Sequence, residues 1–330
     1  MKENRPINLF YEEPDPDRWF KFDKYPRRVI RRIVRGTPRA GGHAMIAINL
    51  MKGLDRMGVP YRLNNYNYIK KNPEEIVCII GKPHVLFKKQ WENPVLFGAA
   101  VFSHPVDHPN LFEQYPNVKK ILVPGEWARD MFAGIYGNKV ICWPVGTDTD
   151  YWRPYEEQKK IDFLLYDKVM WDYDAKKKEL LEPLIDILKR KGLTFDHIRY
   201  GKYKSADLLN ATKHCKAAIF LCEHETQGLA YQQVLSTGTP ILCWDQAGYW
   251  LDPSYYPHKV KYQPVSSASY WDDRCGLKFS TLADFEATLE RFCQMQDQFK
   301  PRDYMLENLT LEICAKKYLQ IYHDVERGLA

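Results

Sequence analysis

The chain has 330 residues, of which 45% are hydrophobic and 27% charged, and its formal net charge is +6. This composition is typical of a globular protein long enough for two domains. No stretch of about eighteen apolar residues is present and the start of the chain is charged, so we expect neither a transmembrane helix nor a secretory signal. The eight cysteines include no C-x-x-C pair, which argues against a zinc site or disulfide framework and favours reduced thiols in a cytoplasmic protein.

Basic residues are concentrated in the segment 21–39. They are Lys21, Lys24, Arg27, Arg28, Arg31, Arg32, Arg35 and Arg39. Such a cluster can bind phosphate, make a peripheral contact with an anionic membrane at its inner face, or form an ordinary solvated helix face. No nucleic-acid-binding motif accompanies it, so nucleic acid is not an expected partner.

The first half of the chain alternates predicted helices and short buried strands. Apolar residues at helical spacing predict a helix over 44–58, and turn residues bound apolar runs that predict strands over 75–81 and 93–103. The alternation continues with a strand over 119–125, a helix over 126–137 and a strand over 139–144. The polar segment 146–159, which contains Pro154, is predicted to be an interdomain linker.

The second half repeats the alternation. Strands are predicted over 161–166, 195–201, 217–222 and 240–245, and helices over 175–192, 205–215, 228–238, 282–296 and 312–328. This pattern predicts an α/β protein with largely parallel sheets. We expect an N-terminal domain over 1–145, a C-terminal domain over 160–310, and a helix within 311–330 that crosses back to the first domain.

Three stretches resemble family 4 retaining glycosyltransferases of the group 1 type, in the same order as in that family. The most specific runs from Tyr200 to Leu242 and contains an acid-x-x-Gly-Leu turn followed by a helix and Gly-x-Pro. The others are residues 121–154 and the glycine loop and helix of residues 38–58. The resemblance implies the GT-B fold, in which two Rossmann-like domains with parallel sheets face an interdomain cleft.

The resemblance also implies an activity. Relatives move a sugar, with retention at the anomeric carbon, from a nucleotide-diphosphate sugar to a glycan, lipid-linked or small-molecule acceptor, without a metal or other cofactor. Two alternatives stay open: a nucleotide-sugar-binding protein that does not turn its ligand over, and another enzyme on the same fold, such as a nucleotide-sugar 2-epimerase.

The turn at 225–229 is the predicted donor site. A loop ending in Gly228 lets backbone N–H groups at a helix start face an anion, and the helix dipole adds partial positive charge there. Gln227 and Leu229 flank this glycine and belong to the same predicted donor site. Glu225 precedes the turn, where its carboxylate would accept hydrogen bonds from the sugar and stabilise positive charge in the transition state.

Gln233 lies eight positions after Glu225, where the family usually has a second glutamate that binds the ribose hydroxyls. Side chains lean toward the N-terminus of a helix, so Gln233 would point back to the ligand. An amide both donates and accepts hydrogen bonds, so ribose binding is compatible with the change.

Further donor-binding residues follow from the resemblance. Lys168 ends the first strand of the second half, where a cation would neutralise the leaving diphosphate. The family's second basic residue corresponds to Lys176, Lys177 or Lys178, which equally suit a solvated helix face. Arg199 and Gly201 lie where relatives approach the nucleotide base, and an ordinary strand end is the alternative.

In the first half, His104 follows a predicted strand, and the resemblance assigns it to the transferred sugar, with His108 as the alternative. Gly41 and Gly42 would let the backbone approach the donor phosphate, with His43 or Arg39 nearby. Asp148 and Asp150 form an Asp-x-Asp triplet, but so short a motif arises easily by chance and Lys168 can supply the positive charge. We therefore expect no metal.

Overall fold

The computed structural model describes residues 5–13, 23, 26–27, 41–99 and 101–328, without the side chain of His43. Most of the basic segment 21–39, Arg39 included, lies outside the described residues, as does the His43 side chain. The chain forms two compact units. The first contains Met1–Val123, Phe132–Trp143 and Ala315–Ala330, and the second contains Pro124–Met131 and Pro144–Cys314.

The sheet of the first unit is parallel and has six described strands in the order β2-β1-β3-β4-β5-β6. The strands are β1 (Ile7–Phe10), β2 (Tyr61–Leu63), β3 (Val77–Ile79), β4 (Val95–Gly98), β5 (Val118–Val123) and β6 (Val140–Cys142). β3, β4 and β6 lie within the predicted segments, and β5 begins one residue before the segment 119–125 predicted for it. The sequence did not indicate the first two strands, because Asn8 interrupts the apolar residues of β1 and Arg62 those of β2.

The sheet of the second unit is also parallel, with described strands in the order β11-β10-β9-β7-β8. The strands are β7 (Ile161–Asp167), β8 (Phe195–Arg199), β9 (Cys215–Leu221), β10 (Ile241–Trp244) and β11 (Gly276–Phe279). The prediction of an α/β protein with two parallel sheets is therefore confirmed. β11 and the irregular chain between β10 and β11 were not predicted.

Helices connect the strands of both sheets. They are α1 (Gly42–Arg56), α2 (Tyr66–Lys71), α3 (His84–Phe87), α4 (Leu111–Gln114), α5 (Glu126–Tyr136), α6 (Tyr173–Lys176), α7 (Glu182–Arg190), α8 (Ser205–His214), α9 (Leu229–Ser236), α10 (Leu282–Met295), α11 (Pro301–Asn308) and α12 (Leu311–Glu326). A π-helical turn, Lys177–Leu181, joins α6 to α7. No helix in the described ranges combines the length and apolar character that a membrane span requires.

The central strands β7 and β9 fix the position of the loops that follow them. Their side chains are buried on both faces, as expected for inner strands of a parallel sheet covered by helices. Asp167, the last residue of β7, pairs with Leu221, the last residue of β9. The backbone N–H of Lys168 also donates to the carbonyl of Leu221, at 2.7 Å. The loops after the two strands therefore start side by side at one edge of the sheet.

Candidate functional site

Lys168 and Glu225, which follow these two strands, form an ion pair. The Lys168 ammonium donates to Glu225 Oε1, and the two side chains are only 13% and 18% exposed. The Lys168 Nζ also lies 4.6 Å from the centre of the Tyr200 ring, close enough for a cation–π interaction. The structure thus brings together the two residues that the sequence proposed for the diphosphate and the sugar.

The charge state of Lys168 follows from this partner. Burial by itself lowers the pKa of a lysine, but the charge and hydrogen bond of Glu225, together with Cys222 and Tyr200, outweigh that effect and raise the pKa of Lys168. Lys168 therefore carries a positive charge throughout the physiological pH range. A cation in a largely buried position binds an anionic group more strongly than a cation in open water, because the local dielectric constant is lower.

Gly228 shapes the turn that follows Glu225. It precedes α9 in the left-handed conformation, with φ of +73°. A Cβ atom at this position would lie 1.8 Å from Cε1 of Tyr231, so the packing excludes any side chain. No acidic residue lies in the first turn of α9 and no described side chain caps its start, so the positive end of the helix dipole is not neutralised there.

The side chain of Gln227 is hydrogen-bonded within the protein. Its buried amide accepts from the N–H of Val145 at 2.8 Å and donates to the Val145 carbonyl at 3.0 Å. It also donates to Gln232 Oε1 at 3.0 Å, and Gln232 Nε2 returns a bond to the Gln227 carbonyl. The side chain of Gln227 therefore joins the turn to the chain at Val145.

Two neighbouring glutamines of α9, Gln232 and Gln233, differ in their exposure to solvent. Gln232 is fully buried, whereas Gln233 is partly exposed. Within the described chain the Gln233 amide has no hydrogen-bond partner. Leu229, at the start of the same helix, is also partly exposed. Gln233 therefore retains the full donor and acceptor capacity that ribose hydroxyls would use.

Arg199, at the end of β8, is paired within the protein. Its Nη1 donates to Asp167 Oδ1 at 3.0 Å, and its guanidinium lies 4.0 Å from the centre of the Tyr173 ring. Asp167 is completely buried; desolvation acts to raise its pKa, but hydrogen bonds and the charge of Arg199 reverse this and leave the pKa lowered. Gly201 adopts φ of +79°, and a Cβ there would meet no described atom within 4 Å.

The main chain around Glu225 is held by residues that the sequence did not indicate. Its carbonyl oxygen accepts hydrogen bonds from Trp127 Nε1 at 3.0 Å and from Ser269 Oγ at 2.5 Å. Its N–H donates to the carbonyl of Ser266 at 2.9 Å. These partners come from the start of α5 and from the irregular chain before β11. The helix α5 was predicted, but no sequence signal indicated that it contacts Glu225.

The first unit holds His104, which the sequence linked to the transferred sugar. It is 7% exposed, and burial lowers its pKa. Its Nδ1 accepts the N–H of Val106 at 3.0 Å, so the neutral ring carries its proton on Nε2. The alternative, His108, packs between the rings of Phe87 and Phe102, each with its centre 5.0 Å away.

The other predicted residues lie in loops and at helix starts. A Cβ on Gly41 or Gly42, where α1 begins, would meet no described atom within 4 Å. Asp148 accepts the N–H of Tyr151 at 3.3 Å as part of a turn. Lys176 and Lys177 pair with glutamates of the same helical segment, Glu179 and Glu182.

No protein-family model matches the chain, and no curated protein matches it. Several solved structures are similar to the chain. Sucrose-phosphate synthase from Thermosynechococcus elongatus has a TM-score of 0.57 at 11% identity, with 98% of this chain and 100% of that chain covered. The apo lipopolysaccharide outer core galactosyltransferase WaaB has a TM-score of 0.55 at 13% identity, with coverage of 96% and 98%.

TarM is a third similar structure, with a TM-score of 0.55 at 12% identity. The match covers 78% of this chain but only 57% of the TarM chain. At these identities the similarity is one of fold. Two parallel α/β units that match glycosyltransferase structures over nearly the whole chain show that this protein has the GT-B fold.

Proposed function

We propose that this protein is a retaining, metal-independent glycosyltransferase that moves a hexosyl group from a nucleotide-diphosphate sugar to a glycan, lipid-linked or small-molecule acceptor. The observation that carries the proposal is the Lys168–Glu225 ion pair. Glu225 stands three residues before Gly228, which precedes the first residue of α9. A cation is paired with a carboxylate that shortly precedes a helix N-terminus in the chain, and a sugar diphosphate offers a complementary group to each of the three.

Lys168 would bind the diphosphate. When the bond between the anomeric carbon and the phosphate oxygen breaks, that oxygen gains negative charge, which the Lys168 ammonium and the uncapped N–H groups of α9 stabilise. The same oxygen can then accept the proton of the acceptor hydroxyl as the new bond forms on the same face of the sugar. No enzyme nucleophile is needed, and retention follows because leaving group and acceptor share one face.

Glu225 would act on the sugar. Its carboxylate accepts hydrogen bonds from hydroxyls and stabilises the positive charge that develops on the ring. His104, with its proton on Nε2, would donate to another hydroxyl of the transferred sugar. Gln233 would bind the ribose hydroxyls through its amide. Gly41 and Gly42 would let the backbone approach the phosphate, and a Cβ added at either glycine would meet no described atom within 4 Å.

The solved structures support the choice of ligand class. A TarM variant with a TM-score of 0.52 to this chain was solved with UDP, α-GlcNAc-glycerol and fondaparinux, a nucleotide and two sugar compounds. WaaB is described as a galactosyltransferase. A uridine diphosphate sugar is accordingly the first donor to test, although the fold by itself hosts many specificities.

The experiment is to incubate the protein with UDP- and ADP-hexoses, with and without a mixture of glycan acceptors. Release of nucleotide and the configuration of the new linkage are followed by NMR. Acceptor-dependent release with the donor configuration preserved supports the proposal. An inverted linkage would contradict retention, acceptor-independent release with an epimerised sugar would indicate a 2-epimerase, and donor binding without any release would indicate a binding protein.

A further inference from the structure

Both main-chain polar groups of Glu225, its N–H and its carbonyl, form hydrogen bonds with residues from distant parts of the second unit. Trp127 Nε1 and Ser269 Oγ both donate to its carbonyl oxygen, at 3.0 and 2.5 Å. The two donors also contact each other, because Trp127 Nε1 lies 3.1 Å from Ser269 Oγ. With the N–H of Glu225 bonded to Ser266, neither polar group of this residue's main chain depends on solvent.

The segment that carries Trp127 packs unusually closely against the Glu225 loop. A Cβ on Gly125 would lie 2.3 Å from the carbonyl oxygen of Thr226, so only glycine fits at this position. Gly125 adopts φ of +90°, and its N–H donates to the hydroxyl of Tyr270 at 3.1 Å. The N–H of Tyr270 in turn donates to the hydroxyl of Tyr231, whose ring fills the space beside Gly228.

His224, the residue before Glu225, reinforces this contact. Its ring lies edge-on to that of Trp127, with centres 5.7 Å apart, and 6.4 Å from the ring of Trp250. Trp127 itself is only 8% exposed and its carbonyl accepts the hydroxyl of Tyr262 at 2.9 Å. Both the main chain and the ring of Trp127 are thus held by neighbouring residues, which directs the indole N–H at the Glu225 carbonyl.

We propose that Trp127 and Ser269 are positioning residues for Glu225. They hold its main-chain carbonyl group and so direct its carboxylate toward the transferred sugar. This inference rests on the proposed function. Their bonds end on the main chain, so they contribute nothing to ligand binding directly. Because a misplacement of about 1 Å at a reacting centre can cost about a hundredfold in rate, loss of either donor should lower the rate far more than donor affinity.

The variants that test this are Trp127→Phe, which removes the indole N–H but keeps an aromatic ring, and Ser269→Ala, with Ser269→Thr to restore the hydroxyl. Trp244→Phe is the matched control. Trp244 is similarly buried, at 5%, and its indole N–H also donates to a main-chain carbonyl, that of Ser280 at 3.0 Å. It therefore reports what the loss of such a bond does to stability alone.

Steady-state kinetics with a donor that the wild-type protein turns over is the first measurement. We expect Trp127→Phe and Ser269→Ala to lower kcat by at least about tenfold, with KM and the Kd for UDP within about twofold of wild type, and Ser269→Thr to recover most of kcat. Trp244→Phe should retain kcat. Equal kcat in all four variants, or a parallel loss in Trp127→Phe and Trp244→Phe, would overturn the proposal.

Amide hydrogen exchange provides a second measurement that needs no activity. Trp127→Phe should accelerate exchange of the amides of residues 224–228 by about tenfold or more relative to wild type, whereas Trp244→Phe should not. Faster exchange in a protein without transfer activity would support the positioning of the loop while removing the proposed function. Unchanged exchange in both Trp127→Phe and Ser269→Ala would refute the positioning itself.

Discussion

Lys168 and Glu225 form an ion pair because the strands that precede them, β7 and β9, are parallel neighbours that end in register. Both side chains are largely buried, at 13% and 18% exposure. An ion pair in such a position is costly to desolvate and stabilises the fold little compared with well-packed apolar residues. Its presence at the edge where two loops start is therefore better explained by a charged ligand than by stability.

Lys168→Met should destabilise the protein and abolish nucleotide binding. The variant leaves the Glu225 carboxylate largely buried without its cation, which costs about 3 kcal/mol in the free energy of unfolding. Urea unfolding at pH 7 measures that loss, and calorimetry measures UDP binding. Lys278→Met is the control, because Lys278 pairs with Asp245 but is 36% exposed. Equal UDP affinity in Lys168→Met and wild type would contradict the phosphate assignment.

Gly228→Ala and Gly201→Ala separate backbone strain from steric conflict. Both glycines have a positive φ, +73° and +79°, but only at Gly228 would a Cβ collide with a ring, that of Tyr231. We expect Gly201→Ala to lower the free energy of unfolding by about 1 kcal/mol and Gly228→Ala by about 3 kcal/mol. Denaturant unfolding of the two variants side by side gives the comparison. Similar losses would mean that Tyr231 moves aside easily.

Substitutions of Gln233 should change the affinity for UDP, because we expect its amide to bind the ribose hydroxyls. Gln233→Ala removes the hydrogen bonds and should weaken UDP binding by up to about tenfold, whereas Gln233→Glu should bind UDP within about threefold of wild type because a carboxylate still accepts from the hydroxyls. Calorimetry with UDP and 2′-deoxy-UDP measures both effects. Wild type should prefer UDP and Gln233→Ala should not; an unchanged preference would place the ribose elsewhere.

His224 should make stability depend on pH. Burial lowers its pKa from 6.5 to about 4, so the unfolded chain binds the proton more readily than the folded chain. Its contribution is therefore neutral above pH 6.5 and destabilising as the pH falls toward 4, by up to about 3 kcal/mol. Urea unfolding at pH 7 and pH 4.5 should show a smaller difference in His224→Gln than in wild type. An identical difference would contradict the burial effect.

The sequence predicted the parallel sheets because strand ends follow directly from apolar runs. It assigned Lys168 to the diphosphate and Glu225 to the sugar by resemblance, but it did not predict the ion pair between them. It could not show that the Gln227 amide is bonded to Val145, because the two residues lie 82 positions apart in the chain. Nor could it show that Arg199 is paired with Asp167. An arginine can bind a ligand or a neighbouring carboxylate, and the sequence alone does not show which of the two lies beside it.

The contacts of Trp127 and Ser269 with Glu225 were beyond sequence reasoning for another reason. They join segments far apart in the chain, and the residues around Ser269 form no helix or strand. The segment with Trp127 is a predicted helix, but the residues around Ser269 have no repeating pattern from which their direction could be predicted. The strand β1 was missed for another reason: its four residues are all buried, but the polar Asn8 interrupts the apolar run that would mark a buried strand.

The most direct test of the account is the rate of sugar transfer by Glu225→Gln. The amide keeps the shape of the side chain but removes its charge, so stabilisation of the cation-like sugar is lost while Lys168 no longer has a competing anion. We predict that kcat with a hexose donor falls by about a hundredfold or more, while UDP binds at least as tightly as to wild type. A Glu225→Gln variant that transfers sugar at the wild-type rate would contradict the assignment of Glu225 and Lys168 as the site of transfer.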